Sequence, residues 1–326
     1  MKVLVIGGAG YIGSHMVKLL GQQGCSVTTL DDLSSGHRDA VLCGEFVQGN
    51  FGDRAVLDAV LAKGFDAVMH FASFIQVGES VQQPDKYYRN NVSYTLALLD
   101  AMRAHGVDKF IFSSTAATFG EPQYTPIDER HPQQPINPYG RTKLMVEQAL
   151  ADYDRAYGFK SVCLRYFNAA GADPEGQLGE RHDPETHLIP LVLQAASGRR
   201  ANISVFGRDY DTPDGTCIRD YIHINDLCSA HWLALQSLLQ GQGSQRYNLG
   251  NGNGFSVQEV IDTAEQVTGR KIAVVNAPRR AGDPARLVAD ATQARQQLGW
   301  QPQYADLATI IAHAWQWEQM ASLCSP

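Results

Sequence analysis

The sequence predicts an α/β fold in which a doubly wound parallel sheet is joined to a smaller α/β unit. Three observations predict it. Short β-branched runs alternate with helical patterns through the first half, a glycine-rich turn sits between the first strand and the first helix, and the pattern changes near residue 167. With 326 residues, 44% of them hydrophobic and 19% charged, the chain can bury a large core as one big domain or two modest ones.

Strands are expected at residues 3–6, 26–30, 45–47, 67–70, 109–113 and 161–165, and helices at 11–22, 54–62, 84–105 and 139–157. Parallel strands cannot be joined by tight turns, so helices of this length serve as crossovers and cover both sheet faces. Beyond residue 167 the chain is rich in Gly, Pro and Asp, at 172–184 and 207–215, and its elements become shorter. The expected division is therefore 1–166 and 167–326, with some later segments returning to the first unit. One later helix is well marked: Ser256 and Glu259 form a capping box, and Val257, Val260, Ile261, Ala264 and Val267 repeat on one face.

Composition excludes several classes of function. The formal net charge is −7 and the basic residues are scattered, so no nucleic-acid partner is expected. Six cysteines (Cys25, Cys43, Cys163, Cys217, Cys228, Cys324) lie far apart without a C-x-x-C pair, which fits reduced thiols in a cytoplasm and predicts neither metal nor disulfides. The start MKVLVIGGAG lacks the apolar stretch of a signal peptide, and no run of about 18 apolar residues occurs, so no membrane span is expected.

Directly after the first strand comes Gly7-Gly8-Ala9-Gly10-Tyr11-Ile12-Gly13, and a helical pattern follows at once. Glycines there let the backbone turn tightly and approach a pyrophosphate, whose charge meets the free N–H groups at the helix start. Asp31, at the end of the second strand, is placed to accept ribose hydroxyls and repel a 2′-phosphate. A Rossmann domain binding NAD in preference to NADP is the expectation.

Tyr139-Gly140-Arg141-Thr142-Lys143 opens a helix and sets phenol and ammonium on one face. A fixed lysine and a positive nicotinamide ring would both favour the phenolate. Lowering a phenol by about three units from its usual pKa of about 10 takes roughly 4 kcal/mol of differential stabilisation. The strand at 109–113 runs into Ser114-Thr115-Ala116, so a hydroxyl at the carboxyl edge of the sheet can join this pair on one sugar oxygen.

These motifs resemble the extended short-chain dehydrogenase/reductase superfamily and, more closely, its UDP-glucose 4-epimerase family. The matching stretches include DDLSSGHRDAV, HFASFIQVGESV, YYRNNV, FSSTAATFGEP, NPYGRTKLMVE, LRYFNAAGADP, GTCIRDYIHINDL, YNLGNGNGFSV and APRRAGDPARLVAD, which together span essentially the whole chain. The resemblance implies Tyr139 as the base for the 4-hydroxyl, Lys143 as its electrostatic partner and a ribose ligand, and Thr115 as a hydrogen-bonding or relay hydroxyl. It implies that hydride passes from carbon 4 of UDP-glucose or UDP-galactose to enzyme-bound NAD, and that the transient 4-keto sugar turns and takes it back. It implies cofactor contacts at Gly7, Gly10, Tyr11, Ile12, Gly13, Asp31, Asn50, Phe51, Phe71, Ala72, Asn90 and Tyr166. Substrate contacts are implied at Asn168, Leu188, Val205, Phe206, Arg219, Tyr221, Arg280, Asp283 and Leu287, with the two arginines on the diphosphate. A homodimer through the helices at 84–105 and 139–157 is implied as well.

Three positions depart from the family pattern: Asn50 stands where relatives have Asp, Ile75-Gln76 removes a lysine, and Leu287 replaces a Tyr or a small residue. The last leaves UDP-N-acetylhexose epimerisation open as an alternative. A sugar-nucleotide 4,6-dehydratase is disfavoured because Ala116-Ala117 follows Thr115 and cannot move protons. A non-catalytic NAD-binding module is disfavoured because both Tyr139 and Lys143 are present.

Overall fold

The computed structural model describes residues 1–280 and 282–323, the last three by backbone alone. Cys324 lies outside the described residues. The first half runs β1 (Lys2–Ile6), α1 (Tyr11–Gln22), β2 (Ser26–Asp31), β3 (Glu45–Gln48), α2 (Arg54–Leu61), β4 (Ala67–His70), α3 (Val77–Gln82), α4 (Pro84–Tyr87) and α5 (Thr95–Ala104). Then come β5 (Lys109–Thr115), α6 (Pro138–Tyr157), β6 (Lys160–Tyr166), β7 (Asn168–Ala170), α7 (Leu188–Ser197), β8 (Ile203–Phe206), β9 (Ile218–Arg219) and β10 (Tyr221–His223). The chain finishes through α8 (Ile224–Leu239), β11 (Gln245–Leu249), β12 (Phe255–Ser256), α9 (Val257–Thr268), β13 (Val274–Ala277), β14 (Arg286–Leu287), α10 (Thr292–Leu298) and α11 (Leu307–Leu323).

The main sheet has the order β3-β2-β1-β4-β5-β6-β11, and every neighbouring pair is parallel. Its alternation is visible residue by residue. Val3 and Val5 of β1 join one apolar cluster with Met16, Val17 and Leu20 of α1 and Ala230 and Ala234 of α8. Leu4 and Ile6 point the other way, into a cluster with Leu57 and Val60 of α2, Leu98 and Met102 of α5, and Val146 and Leu150 of α6. Both faces are thus covered by helices, as a buried parallel sheet requires. Because strand order reverses between β1 and β4, the crevice above their carboxyl ends is the natural ligand site of such a sheet. A third cluster, from Ile189 and Val192 of α7, Val260 and Ile261 of α9, and Ile310 and Ile311 of α11, supports the short strands of the second half.

The chain's crossings are finer than a single boundary near residue 167: β11, from late in the sequence, completes the main sheet beside β6. The capping box is formed, with Glu259 N–H donating to Ser256 Oγ at 3.0 Å and Ser256 N–H to Glu259 Oε2 at 2.6 Å. The expected continuous helix at 84–105 is instead α4, a wider π-helical stretch at Tyr88–Tyr94, and α5. Within that stretch Asn91 is buried, accepts from Phe74 N–H at 3.0 Å, and donates to Phe74 O and to Thr142 Oγ1. Those contacts tie the loop after β4 to α6 at the place where the helix widens, a common location for π-turns near functional sites.

Candidate active site

The glycine loop fits a pyrophosphate on its own geometry. Gly7 has φ 80°, and a Cβ on it would lie 2.5 Å from Ala72 N; one on Gly13 would lie 2.1 Å from Gly7 O. Both glycines are therefore demanded by the close stacking of the loop on itself and on the segment after β4. A Cβ on Gly10 would meet nothing nearer than 3.5 Å, which leaves that side open at the start of α1. No side chain caps α1 and no acidic residue occupies its first turn, so its N-terminal N–H groups and dipole remain suited to an anion.

Asp31 ends β2 beside this loop. Its Oδ2 accepts from Ala9 N–H at 2.9 Å and its Oδ1 from Leu33 N–H at 2.8 Å, and Leu33 itself is held at φ 60°. Burial raises the Asp31 pKa, while the two amides act against that rise. The same carboxylate thus sets both the glycine loop and the turn after β2. Phe51 and Ala72 follow β3 and β4, and Phe71 packs against His231. Asn50 donates to Asp32 Oδ2 at 2.9 Å and accepts from Gly52 N–H, so its side chain is engaged with the turn after β2. Asn90 donates to Asn91 Oδ1, Tyr11 Oη donates to Gly171 O at 2.6 Å, Ile12 packs against the core, and Tyr166 Oη meets Ser113 Oγ. Ile75 is exposed.

The expected catalytic constellation sits at the carboxyl edge of β5 and the start of α6. Asn137 caps α6 by accepting from Gly140 N–H at 2.8 Å, with Pro138 in the first turn, so Tyr139 and Lys143 stand one turn apart on the same face. The Thr115 hydroxyl accepts from Ala117 N–H at 3.1 Å and lies close enough to the Tyr139 phenol to act on its charge. Lys143 Nζ donates to Ser73 Oγ and to Ser113 O, each at 2.8 Å. Hydroxyl and phenol are neighbours, and the ammonium is fastened to β5 and to the loop after β4.

In the chain by itself burial acts against the phenolate that the lysine and a bound nicotinamide ring are together expected to favour. Burial pushes Tyr139 up to about 12, and only the Thr115 hydrogen bond opposes it. Burial also pushes Lys143 down to about 7, with Glu147 acting in the other direction. Both groups lose solvent on entering the crevice, and each loses its charged form first.

Several residues of this site escaped the reading of the sequence. Ser73 and Ser113 hold Lys143, and Asn91 holds Phe74 and Thr142. Glu147, one turn beyond Lys143, is buried and accepts from Ser114 Oγ at 2.6 Å, Arg165 Nε at 2.9 Å and Gln133 Nε2 at 3.2 Å. The signal for it was present: 139, 143 and 147 form one helical stripe, and a carboxylate on a buried stripe needs a partner.

In the second half, Arg219 donates from Nη1 to Ile218 O and Pro284 O and faces Asp283 at 3.4 Å. The Arg280 guanidinium lies 3.8 Å from the Phe206 ring centroid. Leu287 pairs with Arg219 in the parallel β14–β9 ladder, and Asn168 donates to Asp220 O at 2.9 Å. Asp220, another residue the sequence reading passed over, accepts the backbone N–H groups of Asn251, Gly252 and Ala289. Leu188 opens α7. Val205 is 1% exposed and Tyr221 4%, so both side chains belong chiefly to the third core cluster, whereas Phe206 is half-buried.

Known proteins place this arrangement. Over 320 residues, 98% of this chain and 96% of the other, the sequence is 52% identical to a UDP-glucose 4-epimerase of Halalkalibacterium halodurans. The crystal structure of UDP-glucose 4-epimerase from Brucella ovis in complex with NAD matches with a TM-score of 0.95 and 53% identity, covering 96% of this chain and 97% of that one. The UDP-Glc/GlcNAc 4-epimerase from Campylobacter jejuni matches at 0.86 and 45%, covering 98% and 99%. Residues 3–250 match the NAD dependent epimerase/dehydratase family model. The glycine loop, the Thr115–Tyr139–Lys143 constellation and these likenesses agree, and the chain belongs to the NAD dependent epimerase/dehydratase family.

Proposed function

We propose that the chain is a UDP-glucose 4-epimerase, interconverting UDP-galactose and UDP-glucose with NAD held between turnovers. The observation that carries this reading is the placing of Thr115, at the carboxyl end of β5, beside Tyr139 at the start of α6, with Lys143 one turn on fixed to Ser73 Oγ and Ser113 O. When bound on the glycine loop and Asp31, NAD supplies the acceptor and donor for the hydrogen on carbon 4 of the sugar. Tyr139 takes the proton of the 4-hydroxyl and gives it back. Thr115 orients that hydroxyl and the phenol, and Lys143 together with the positive nicotinamide ring would favour the phenolate once the cofactor is bound, an effect beyond that of the chain alone. Arg219 and Arg280 supply guanidinium donors for the diphosphate. The likeness to proteins named for this activity, at about half identity over nearly the full chain, supports the same reading.

In this proposal residues 1–166 chiefly carry the cofactor and 167–326 chiefly the UDP-sugar, the remaining site residues acting as the family resemblance implies. The enzyme works in the cytoplasm; the five described cysteines are all unpaired, and no described helix is long and apolar enough to cross a membrane. It works as a homodimer through α5 and α6, where Met145 and Tyr157 are exposed. Sedimentation should give twice the chain mass, and a concentration-independent monomer would remove the dimer.

The direct test is to incubate the purified protein with UDP-galactose and no added cofactor. UDP-glucose should form; its absence from protein shown to contain NAD would sink the proposal. On the substrate range, Leu287 leaves the pocket less closed than Tyr would but offers no partner to an acetamido group. UDP-galactose should therefore be preferred over UDP-N-acetylgalactosamine by roughly 5 to 150-fold in kcat/KM, the effect of about 1–3 kcal/mol. Leu287→Tyr should widen that ratio, and an unchanged ratio would show that position 287 is not the gate.

A further inference from the structure

Residues 180–187 read Glu-Arg-His-Asp-Pro-Glu-Thr-His, and four of these side chains converge. One ligating atom from each of Glu180, His182, Glu185 and His187 lies within 4.8 Å of all the others. The Nδ1 atoms of both imidazoles face the same two carboxylates: His182 lies 2.9 Å from Glu180 Oε1 and 3.8 Å from Glu185 Oε2, and His187 lies 2.8 Å from Glu180 Oε1 and 3.0 Å from Glu185 Oε1. Both glutamate side chains are only 6% exposed. None of the catalytic steps above uses these groups.

We infer that Glu180, His182, Glu185 and His187 form a structural site for one divalent transition-metal ion of the zinc class. The donor set decides the class. Two imidazole nitrogens with two carboxylate oxygens suit zinc, whereas magnesium and calcium take oxygen donors. A tetrahedral ion with bonds of about 2.0–2.2 Å needs ligand atoms roughly 3.3–3.6 Å apart, and the observed contacts of 2.8–3.8 Å bracket that edge. Two carboxylates, two neutral imidazoles and a divalent ion sum to no net charge, so the ion can be held without burying a net charge. All four positions come from protein, so the site is closed and structural.

A second, independent observation points the same way. His187 occupies the N-cap position of α7 but makes no side-chain cap to that helix. Its ring is turned into the cluster instead, with Nδ1 facing Glu180 and Glu185. Glu185 is pre-oriented too, since its Oε1 accepts from the N–H groups of Thr186 and His187. The ion has a path inward, because the cluster borders a surface cleft of about 370 Å³.

The position gives the ion a task. Trp317 Nε1 donates to Glu180 O at 3.1 Å, Arg181 pairs with Asp39 at 2.7 Å, and His37 contacts Arg181 O. The Tyr11 ring, at the start of α1, meets the His182 ring edge-on at 6.3 Å. A metal here pins the first residue of α7, Leu188, to the cofactor side of the crevice. Cysteine spacing gives no sign of this motif, since its donors are His and Glu.

The test uses full-length protein purified without a metal-affinity tag, stripped with a chelator and titrated with zinc. Elemental analysis should find about one zinc per chain after buffer exchange, and saturating zinc should raise Tm by roughly 5 °C where magnesium does not. X-ray absorption should show only nitrogen and oxygen neighbours at about 2.0 Å. His182→Ala and Glu185→Gln should each weaken zinc binding by about 100-fold or more. The wild-type measurements decide the matter even if a variant folds poorly. Less than about 0.1 zinc per chain with no Tm response, or sulfur at about 2.3 Å in the zinc shell, overturns the inference.

Discussion

Tyr139 is a phenol with a high pKa placed where a base is needed. Burial takes it up to about 12 in the chain alone, and Thr115 is the one group of the protein that pulls it back. Tyr139→Phe keeps the ring and its packing and removes only the proton acceptor, so kcat should fall by about 10²-fold or more while bound NAD is retained. Near-normal turnover in that variant would end the mechanism. Thr115→Val removes the hydrogen bond that favours the phenolate and so raises the pKa of Tyr139 further. Because the base acts in its deprotonated form, the rising limb of the kcat/KM profile should move to higher pH. A slower enzyme with an unmoved limb would make Thr115 a steric element and nothing more.

At the scale of one element, α6 joins catalysis to stability along a single stripe. Tyr139 and Lys143 face the crevice, and Glu147 continues the stripe inward to Arg165, with exposures of 1% and 2% and an Nη2–Oε2 distance of 2.5 Å. Burial raises the Glu147 pKa, but Arg165, Ser114 and Gln133 outweigh it and hold the carboxyl below its ordinary range. Removing one partner of a buried pair strands the other, at a cost of about 3–5 kcal/mol. Glu147→Gln should accordingly lower Tm by roughly 5 °C or more. It should also slow turnover, because Ser114 neighbours Thr115 and Glu147 favours the charged form of Lys143. Unfolding curves that superimpose on wild type would show the pair to be worth little. The wide turn at Tyr88–Tyr94 is the complementary case, since its pattern looks helical throughout and only the contacts of Asn91 mark the change.

Across the whole molecule, three buried histidines set a lower pH limit. Burial pushes His15 and His231 down to about 4 and His70 to about 3. Each ring has one partnered nitrogen: His15 Nδ1 meets Tyr11 O, His231 Nδ1 meets Leu227 O, and His70 Nε2 meets Thr95 Oγ1. The second nitrogen of each is buried without a partner, so a protonated ring would carry an N–H with no acceptor. The unfolded chain takes up these protons near pH 6.5 and the folded chain only near 3–4. The stability they lend is therefore full above about pH 6.5 and is lost as pH falls toward 4. Urea midpoints at pH 7.5, 6 and 5 should fall in that order; a flat series would mean that these rings do not govern acid unfolding.

Taken by itself, the sequence determined the parallel sheet, the glycine loop with Asp31, and the Tyr139–Lys143 spacing, because each rests on interactions among residues close in the chain. Strand alternation, a cap, a left-handed glycine and an i,i+4 pair are all local. The tertiary structure alone decided what lies across the chain from them. It brought Arg165 to Glu147, Ser73 to Lys143, Asn91 to Thr142 and β11 to the edge of β6. It also showed how strongly burial opposes the charge of Tyr139, since a phenol's charge depends on how much water its neighbours exclude, and spacing carries no measure of burial. Glu180, His182, Glu185 and His187 fall between these cases: they are adjacent in sequence, yet eight residues can be threaded many ways, and only the fold of their loop turns four side chains toward one point.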